Sequence, residues 1–186
     1  MNKATTLFFI LLIAVSFAFQ SQDNALYRTN AGVVSFLSSA PHEKIKATSK
    51  KLYGVLDPNK RMYNFAVPIS SFEGFNSPLQ KEHFNENYLE SQKNPKAYYK
   101  GKIIEEVDLK KPGIYQVRAK GMLTIHGIEK ECIVKSKVVS EGNKLNIESN
   151  FSVLLKDYGI KIPKVVSQKI AEEIAVTINV DMVIKN

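Results

Sequence analysis

The chain of 186 residues is poor in the residues that usually carry chemistry or cross-links. It has one cysteine, Cys132, so an intrachain disulfide is excluded and a hydrophobic core must hold the fold. Its histidines number three: His42, His83 and His126. No repeat, low-complexity stretch or linker divides the chain, which indicates a single domain.

The amino end carries the one long apolar run. Lys3 precedes an almost unbroken apolar stretch from Leu7 to Val15, and Ser16 and Ala18 follow at the spacing that a signal peptidase accepts. This pattern predicts a cleaved secretory signal over residues 1–21, with an uncleaved anchor as the alternative. The absence of a cysteine after the run argues against a lipoprotein. We therefore expect a periplasmic or secreted protein whose mature domain spans residues 22–186.

The positive charge is scattered. The formal net charge is +8, but the lysines are spread along the chain and form no stripe or patch. A nucleic-acid footprint requires such clustering, so we expect no nucleic-acid partner. Attraction to anionic lipid, and hence a peripheral membrane contact, is compatible with this charge. The oligomeric state stays open, a homodimer included.

Alternation with period two dominates the mature chain and is typical of half-buried strands. It is clear over residues 114–125, where Val117, Ala119 and Leu123 share one face, and it recurs over 61–69, 98–109, 131–139, 144–153 and 175–184. Short helices are predicted over 76–92 and 163–173. The sequence thus predicts an all-β fold, an antiparallel lipocalin-like barrel of about eight strands with one or two short helices.

Four segments carry a resemblance to a known family. They are GVVSFLSSAP (32–41), SFEGFNSPLQKEHFNENYLESQKNPKAYYKGKI (71–103), GMLTIHGIEKE (121–131) and LLKDYGIKIP (154–163). Together they resemble the YceI-like proteins. The resemblance implies an exported, lipocalin-like β-barrel that binds a polyisoprenoid or another long-chain amphiphilic lipid, and it covers roughly residues 25–184. The chain departs from the family pattern at Asn94, at Tyr99, and at Leu79 or Gln80, which bears on the identity of the ligand.

Two kinds of chemistry compete with lipid binding. An enzyme, a hydrolase or an isomerase, would use His83 or His126, the latter within six residues of Cys132. A metal site would use His83 with Glu82 and Glu86, but the second histidine of the usual helical zinc motif is missing. A third alternative is a scaffold barrel with a solid core.

The lipid-binding hypothesis fits the residue types best, because a long apolar ligand needs an apolar tube with a few polar groups at one end. We therefore predict no cofactor, no metal and no catalytic residue. The predicted ligand-binding residues are Phe65, Phe75, His83, Phe84, Tyr88, Leu89, Tyr98 and Tyr99.

Overall fold

Eight strands follow one another around a single closed sheet in the computed structural model, which describes residues 25–185. The predicted signal segment, residues 1–21, lies outside this range. The strands are β1 Leu26–Ser39, β2 Lys44–Asp57, β3 Met62–Pro68, β4 Lys96–Ile103, β5 Gly113–Ile125, β6 Ile128–Ser140, β7 Lys144–Leu154 and β8 Glu173–Lys185.

The sheet closes because the last strand pairs with the first. β8 is antiparallel to β7 and also to β1, where Ile178 stands opposite Val34. Register shifts in β1 between Thr29 and Val34 bend the strand, as bulges do. All neighbouring strands are antiparallel and adjacent in sequence. The predicted antiparallel barrel of about eight strands is confirmed.

Alternation along each strand sorts side chains between the interior and the solvent. In β5, Val117, Ala119 and Leu123 are buried, whereas Gln116 and Arg118 are exposed. Successive residues of a strand point to opposite faces of the sheet, so in a closed sheet every second residue points inward. The predicted apolar face of this strand is the inner face of the barrel.

Consecutive antiparallel strands place alternate connections at the same end of the barrel. The β1–β2, β3–β4, β5–β6 and β7–β8 connections form one end, which we call the mouth end. The β5–β6 connection is the tight turn His126–Gly127, where φ is +52° and +74°. Positive φ at both central residues is the geometry of a type I′ hairpin, which favours glycine at the second position.

The opposite end is closed by the β4–β5 connection, and we call it the floor. β4 ends at Ile103, so the prediction of a strand over the whole of 98–109 is wrong. The chain instead turns beneath the barrel, and Leu109 is only 1% exposed. Ser140 Oγ donates a hydrogen bond of 2.7 Å to the Leu109 carbonyl, and the Tyr27 hydroxyl lies 3.2 Å from the same oxygen. These hydrogen bonds hold Leu109 beneath the barrel, so residues 104–109 do not continue β4.

Within residues 25–185, α-helix is confined to the β3–β4 connection, while 3₁₀ turns occur at Ile69–Ser71, Leu155–Tyr158 and Lys164–Val166. Helix α1, Pro78–His83, begins with Ser77 Oγ accepting from the Gln80 amide at 3.2 Å, and a π-helical turn, Phe84–Tyr88, continues it. A serine cap before proline is a favourable helix start. The short helix predicted over 163–173 is reduced to one 3₁₀ turn, Lys164–Val166, whose two valines are weak helix formers. Within residues 25–185, no helix has the length and apolar character to cross a membrane.

Two glycines make room for the Tyr63 side chain on the inner surface of the barrel wall. Gly101 and Gly121 stand opposite each other in β4 and β5, and the Tyr63 ring extends over them. A Cβ atom at Gly101 would lie 2.1 Å from the Lys120 carbonyl oxygen, which is backbone and has little room to move.

We therefore expect Gly101→Ala to lower the free energy of unfolding by about 1–3 kcal/mol, the usual cost of overpacking. The control is Gly113→Ala, because a Cβ there meets only the Tyr115 side chain at 3.3 Å. Urea unfolding of the two variants measures the difference. Equal midpoints would show that the wall tolerates a methyl group at Gly101.

Candidate functional site

The barrel encloses a cavity of about 420 Å³. This volume lies within the range of roughly 300–1,000 Å³ found for small-molecule sites. All eight strands contribute inward-facing side chains to the wall. One representative from each strand is Val34, Leu52, Phe65, Tyr99, Leu123, Val134, Ile147 and Ile178.

The wall is almost entirely apolar. Within residues 25–185, the aspartate, glutamate, lysine and arginine side chains that border the cavity are Glu43 and Lys169, both at the mouth end. Ser136 and Ser149 also border it, but their hydroxyls bond to each other at 2.7 Å. The interior therefore favours hydrocarbon and excludes charge, whereas polar groups are available at the mouth.

Two tyrosines in the wall are held neutral by burial. The Tyr63 and Tyr99 rings lie 5.0 Å apart, and the Tyr99 hydroxyl donates to the Ala119 carbonyl at 2.5 Å. The Tyr63 hydroxyl is buried and has no hydrogen-bond partner among the described residues. Burial raises the pKa of Tyr63 to about 12, and burial also raises the pKa of Tyr99. Neither phenol introduces charge into the cavity at physiological pH.

The mouth end is covered by the β3–β4 connection, residues 69–95, which we call the lid segment. A cluster of four phenylalanine rings fastens it to the wall. Phe84 stacks on Phe36 of β1 with ring centroids 5.4 Å apart, and it lies 5.1 Å from Phe75 and 5.8 Å from Phe72. Because the rings pack on β1, they roof the cavity and leave its centre empty.

Polar contacts also tie the lid segment to the β1–β2 hairpin. Glu43 accepts hydrogen bonds from Gln80 Nε2 at 2.5 Å and from Asn76 Nδ2 at 3.2 Å. Thr48 and Glu73 exchange two backbone hydrogen bonds of 2.8 and 3.0 Å. These hydrogen bonds hold the Glu43 carboxylate at the mouth end, so it is not an unpaired charge inside the cavity.

His126 joins three connections at the mouth end. Its Nδ1 lies 3.0 Å from the Tyr158 carbonyl in the β7–β8 connection, and its Nε2 lies 3.2 Å from Glu90 Oε2 in the lid segment. Both partners accept hydrogen bonds, so the ring can donate to both only as an imidazolium. Lys93 contacts the same glutamate at 2.9 Å. These contacts connect the β5–β6 turn with the lid segment and with the β7–β8 connection.

All eight predicted ligand-binding residues border the cavity. Phe65 and Tyr99 face each other across β3 and β4. Five of the eight lie in the lid segment: Phe75, His83, Phe84, Tyr88 and Leu89. Tyr98 is 40% exposed, because it and Tyr99 are successive strand residues that point to opposite sides. Their contact with a ligand remains a prediction.

Sequence reasoning missed several cavity residues. Phe36 anchors the aromatic cluster, and its alternation with Val34 and Ser38 in β1 was the signal that could have revealed it. Phe72, within the segment 71–103, is not among the predicted ligand-binding residues. Nothing local marks Glu43 or Lys169, since their places at the mouth depend on how the connections meet.

The residues proposed for catalysis are not arranged as an activated pair. His83 borders the cavity, whereas His126 is engaged by Tyr158 and Glu90. Burial raises the pKa of the Cys132 thiol, the opposite of the shift that activates a cysteine nucleophile. Within residues 25–185, no three His, Cys, Asp or Glu side chains are gathered to hold a metal ion, so Glu82, His83 and Glu86 do not form such a group.

A closed antiparallel barrel around an apolar cavity defines the class of lipocalin-like barrels. More narrowly, the chain belongs to the family of the YceI-like domain, whose family model matches residues 27–182. The resemblance of four sequence segments to the YceI-like proteins is confirmed. A comparison with curated proteins finds no match.

Solved structures with the same fold come from several bacteria. A polyisoprenoid-binding domain from Saccharophagus degradans, implicated in plant cell wall breakdown, is 11% identical with a TM-score of 0.75, covering 88% of this chain and 100% of that one. BcnA of Burkholderia cenocepacia is 16% identical with a TM-score of 0.66, covering 81% and 95%. The YCEI protein of Campylobacter jejuni is 15% identical with a TM-score of 0.59, covering 76% and 85%. At these identities the likeness establishes the fold.

The contacts of Glu90 predict that the stability of the protein depends on pH. Hydrogen bonds from Lys93 and then from His126 hold the pKa of Glu90 below its ordinary value of 4.5. A lowered folded-state pKa means that ionised Glu90 stabilises the fold above pH 4.5 and that this contribution is lost as the pH falls through the lowered value.

We expect Glu90→Gln to be less stable than the wild type at pH 7, with the difference shrinking progressively below pH 4.5. Urea unfolding at a series of pH values measures it. The control is Glu86→Gln, an exposed lid residue for which the described part of the chain offers no ion-pair partner. Parallel pH profiles for both variants would contradict the assigned contact.

Proposed function

We propose that the protein is an exported, non-enzymatic barrel that binds or carries one long-chain, isoprenoid-like lipid in its interior. The observation that carries the proposal is the apolar cavity of about 420 Å³ beneath the lid segment. Each buried methylene contributes about 0.8 kcal/mol, so a hydrocarbon chain needs no strong polar contact to bind. The fold shared with a polyisoprenoid-binding domain supports the same ligand class.

The ligand would lie along the barrel axis with its tail towards the floor. Phe65 and Tyr99 would contact the tail, and Phe75, Phe84, Tyr88 and Leu89 would cover it from the lid segment. The head group would lie at the mouth, where His83 and Lys169 supply polar atoms. This orientation is favoured because polar groups of a ligand are costly to bury against the apolar wall.

The first experiment asks which lipid the protein holds. The mature protein is expressed in its own host, purified without detergent and extracted with organic solvent for mass spectrometry. We expect a long-chain isoprenoid-like lipid at close to one molecule per barrel. Recovery of a lipid-free protein that also fails to bind an added polyprenol would overturn the proposal.

The second experiment fills the cavity. Ile178 of β8 borders the cavity, so Ile178→Trp would displace about two buried methylenes, or about 1.6 kcal/mol of tail contacts. We expect roughly 15-fold weaker binding of a fluorescently labelled polyprenol, with a smaller loss for Ile178→Phe.

The matched control is Ala175→Trp on the exposed side of the same strand. It should bind the probe like the wild type. Thermal unfolding checks that all variants are folded. Equal losses for the two tryptophan variants would show that the probe binds outside the barrel.

A further inference from the structure

The β7–β8 connection, residues 155–172, has four lysines and two acidic residues, Asp157 and Glu172, near its ends. Over residues 158–171, which we call the rim loop, the sequence has Lys161, Lys164 and Lys169 and no aspartate or glutamate. All three lysines are exposed. Within residues 25–185, neither Lys161 nor Lys164 has an ion-pair partner. The charge of this loop is therefore available to an external partner.

The rim loop also exposes an apolar tip. Val165, next to Lys164, is 88% exposed. Across the mouth end, Leu79 of α1 is 56% exposed. Isolated exposed hydrophobic residues are common on protein surfaces. Val165 and Leu79, however, both lie at the mouth end of the barrel.

The tip is presented by a loop that is fixed in place. The Leu155 amide donates to the Glu172 carbonyl at 2.9 Å where the connection begins and ends, and the His42 amide donates to the Gln168 carbonyl at 2.9 Å. Val166 and Ile170 of the same loop border the cavity. The loop thus faces the cavity with one side and the solvent with its lysines and Val165.

We propose that the rim loop docks the mouth of the barrel on an anionic lipid bilayer. The lysines would lie among the anionic head groups, and Val165 would enter the interface. Charge complementarity favours a bilayer, because a nucleic acid offers nothing for an exposed valine placed beside an apolar cavity. Docking here would allow a lipid to pass between bilayer and cavity without crossing water, so the inference rests on the proposed function.

Vesicle co-sedimentation tests the proposal. The full mature protein is mixed with vesicles of phosphatidylcholine containing phosphatidylglycerol, and separately with pure phosphatidylcholine. We expect binding to the anionic vesicles only, and its loss at 1 M salt, where screening shortens to about 3 Å. Equal binding to both kinds of vesicle, or none to either, would overturn the proposal.

Variants locate the contact. Each lysine near an anionic surface contributes about a five-fold gain in partitioning, so K161Q/K164Q should bind roughly 25-fold more weakly. Val165→Asp should also weaken binding. The control, K102Q/K135Q, changes the net charge equally but alters exposed lysines on the barrel wall. An equal loss in the control would show a general charge effect and overturn the assignment to the rim loop.

Two further readouts separate the outcomes. The variants should lose docking but still bind the fluorescent polyprenol in solution. If the wild-type protein binds the polyprenol but does not dock on anionic vesicles, this inference alone is overturned. Sedimentation velocity of the protein without vesicles tests a second copy as the occupant. A wild-type dimer that Val165→Asp converts to a monomer would assign the surface to self-association and overturn membrane docking.

Discussion

Pairing of β8 with β1 is the constraint on which the rest of the structure depends. An open sheet would leave two edges unpaired and one apolar face uncovered, whereas closure satisfies both edges and turns that face into the lining of a tube. Closure also decides the polarity of every strand position. The buried Val117 and the exposed Arg118 differ in environment because the sheet has an inside and an outside.

The barrel contains a cavity because its largest side chains are placed at the floor and at the mouth. At the floor, Tyr27, Leu109, Leu145 and Met182 fill the space completely, and each is at most 1% exposed. At the mouth, Phe84 stacks on Phe36 and Phe75 packs edge-on against it, so these rings lie on the wall. Between floor and lid, most of the side chains that line the cavity are branched aliphatic. A cavity of about 420 Å³ remains.

The order of the strands was predictable because it depends on local patterns. Alternation in β5 and β8, the turn at His126–Gly127, and the serine and proline before α1 are each contained in a few residues. The errors came where distant groups decide the local conformation. β4 ends at Ile103 because the following segment is held by hydrogen bonds from Tyr27 and Ser140. Tyr98 borders the cavity as Tyr99 does, yet it is 40% exposed, because neighbouring strand positions point to opposite sides.

The sequence by itself determined that strands form, which of their faces is apolar, that no disulfide supports them, and which family the chain resembles. Those properties are written in spacings of two residues and in short motifs. Tertiary structure alone decided that the tube is left hollow, that Glu43 and Lys169 both border the cavity at its mouth, and that His126 contacts Glu90 and Tyr158. These features join residues 32 or more positions apart, and such contacts exist only once closure of the sheet has brought the connections to one end.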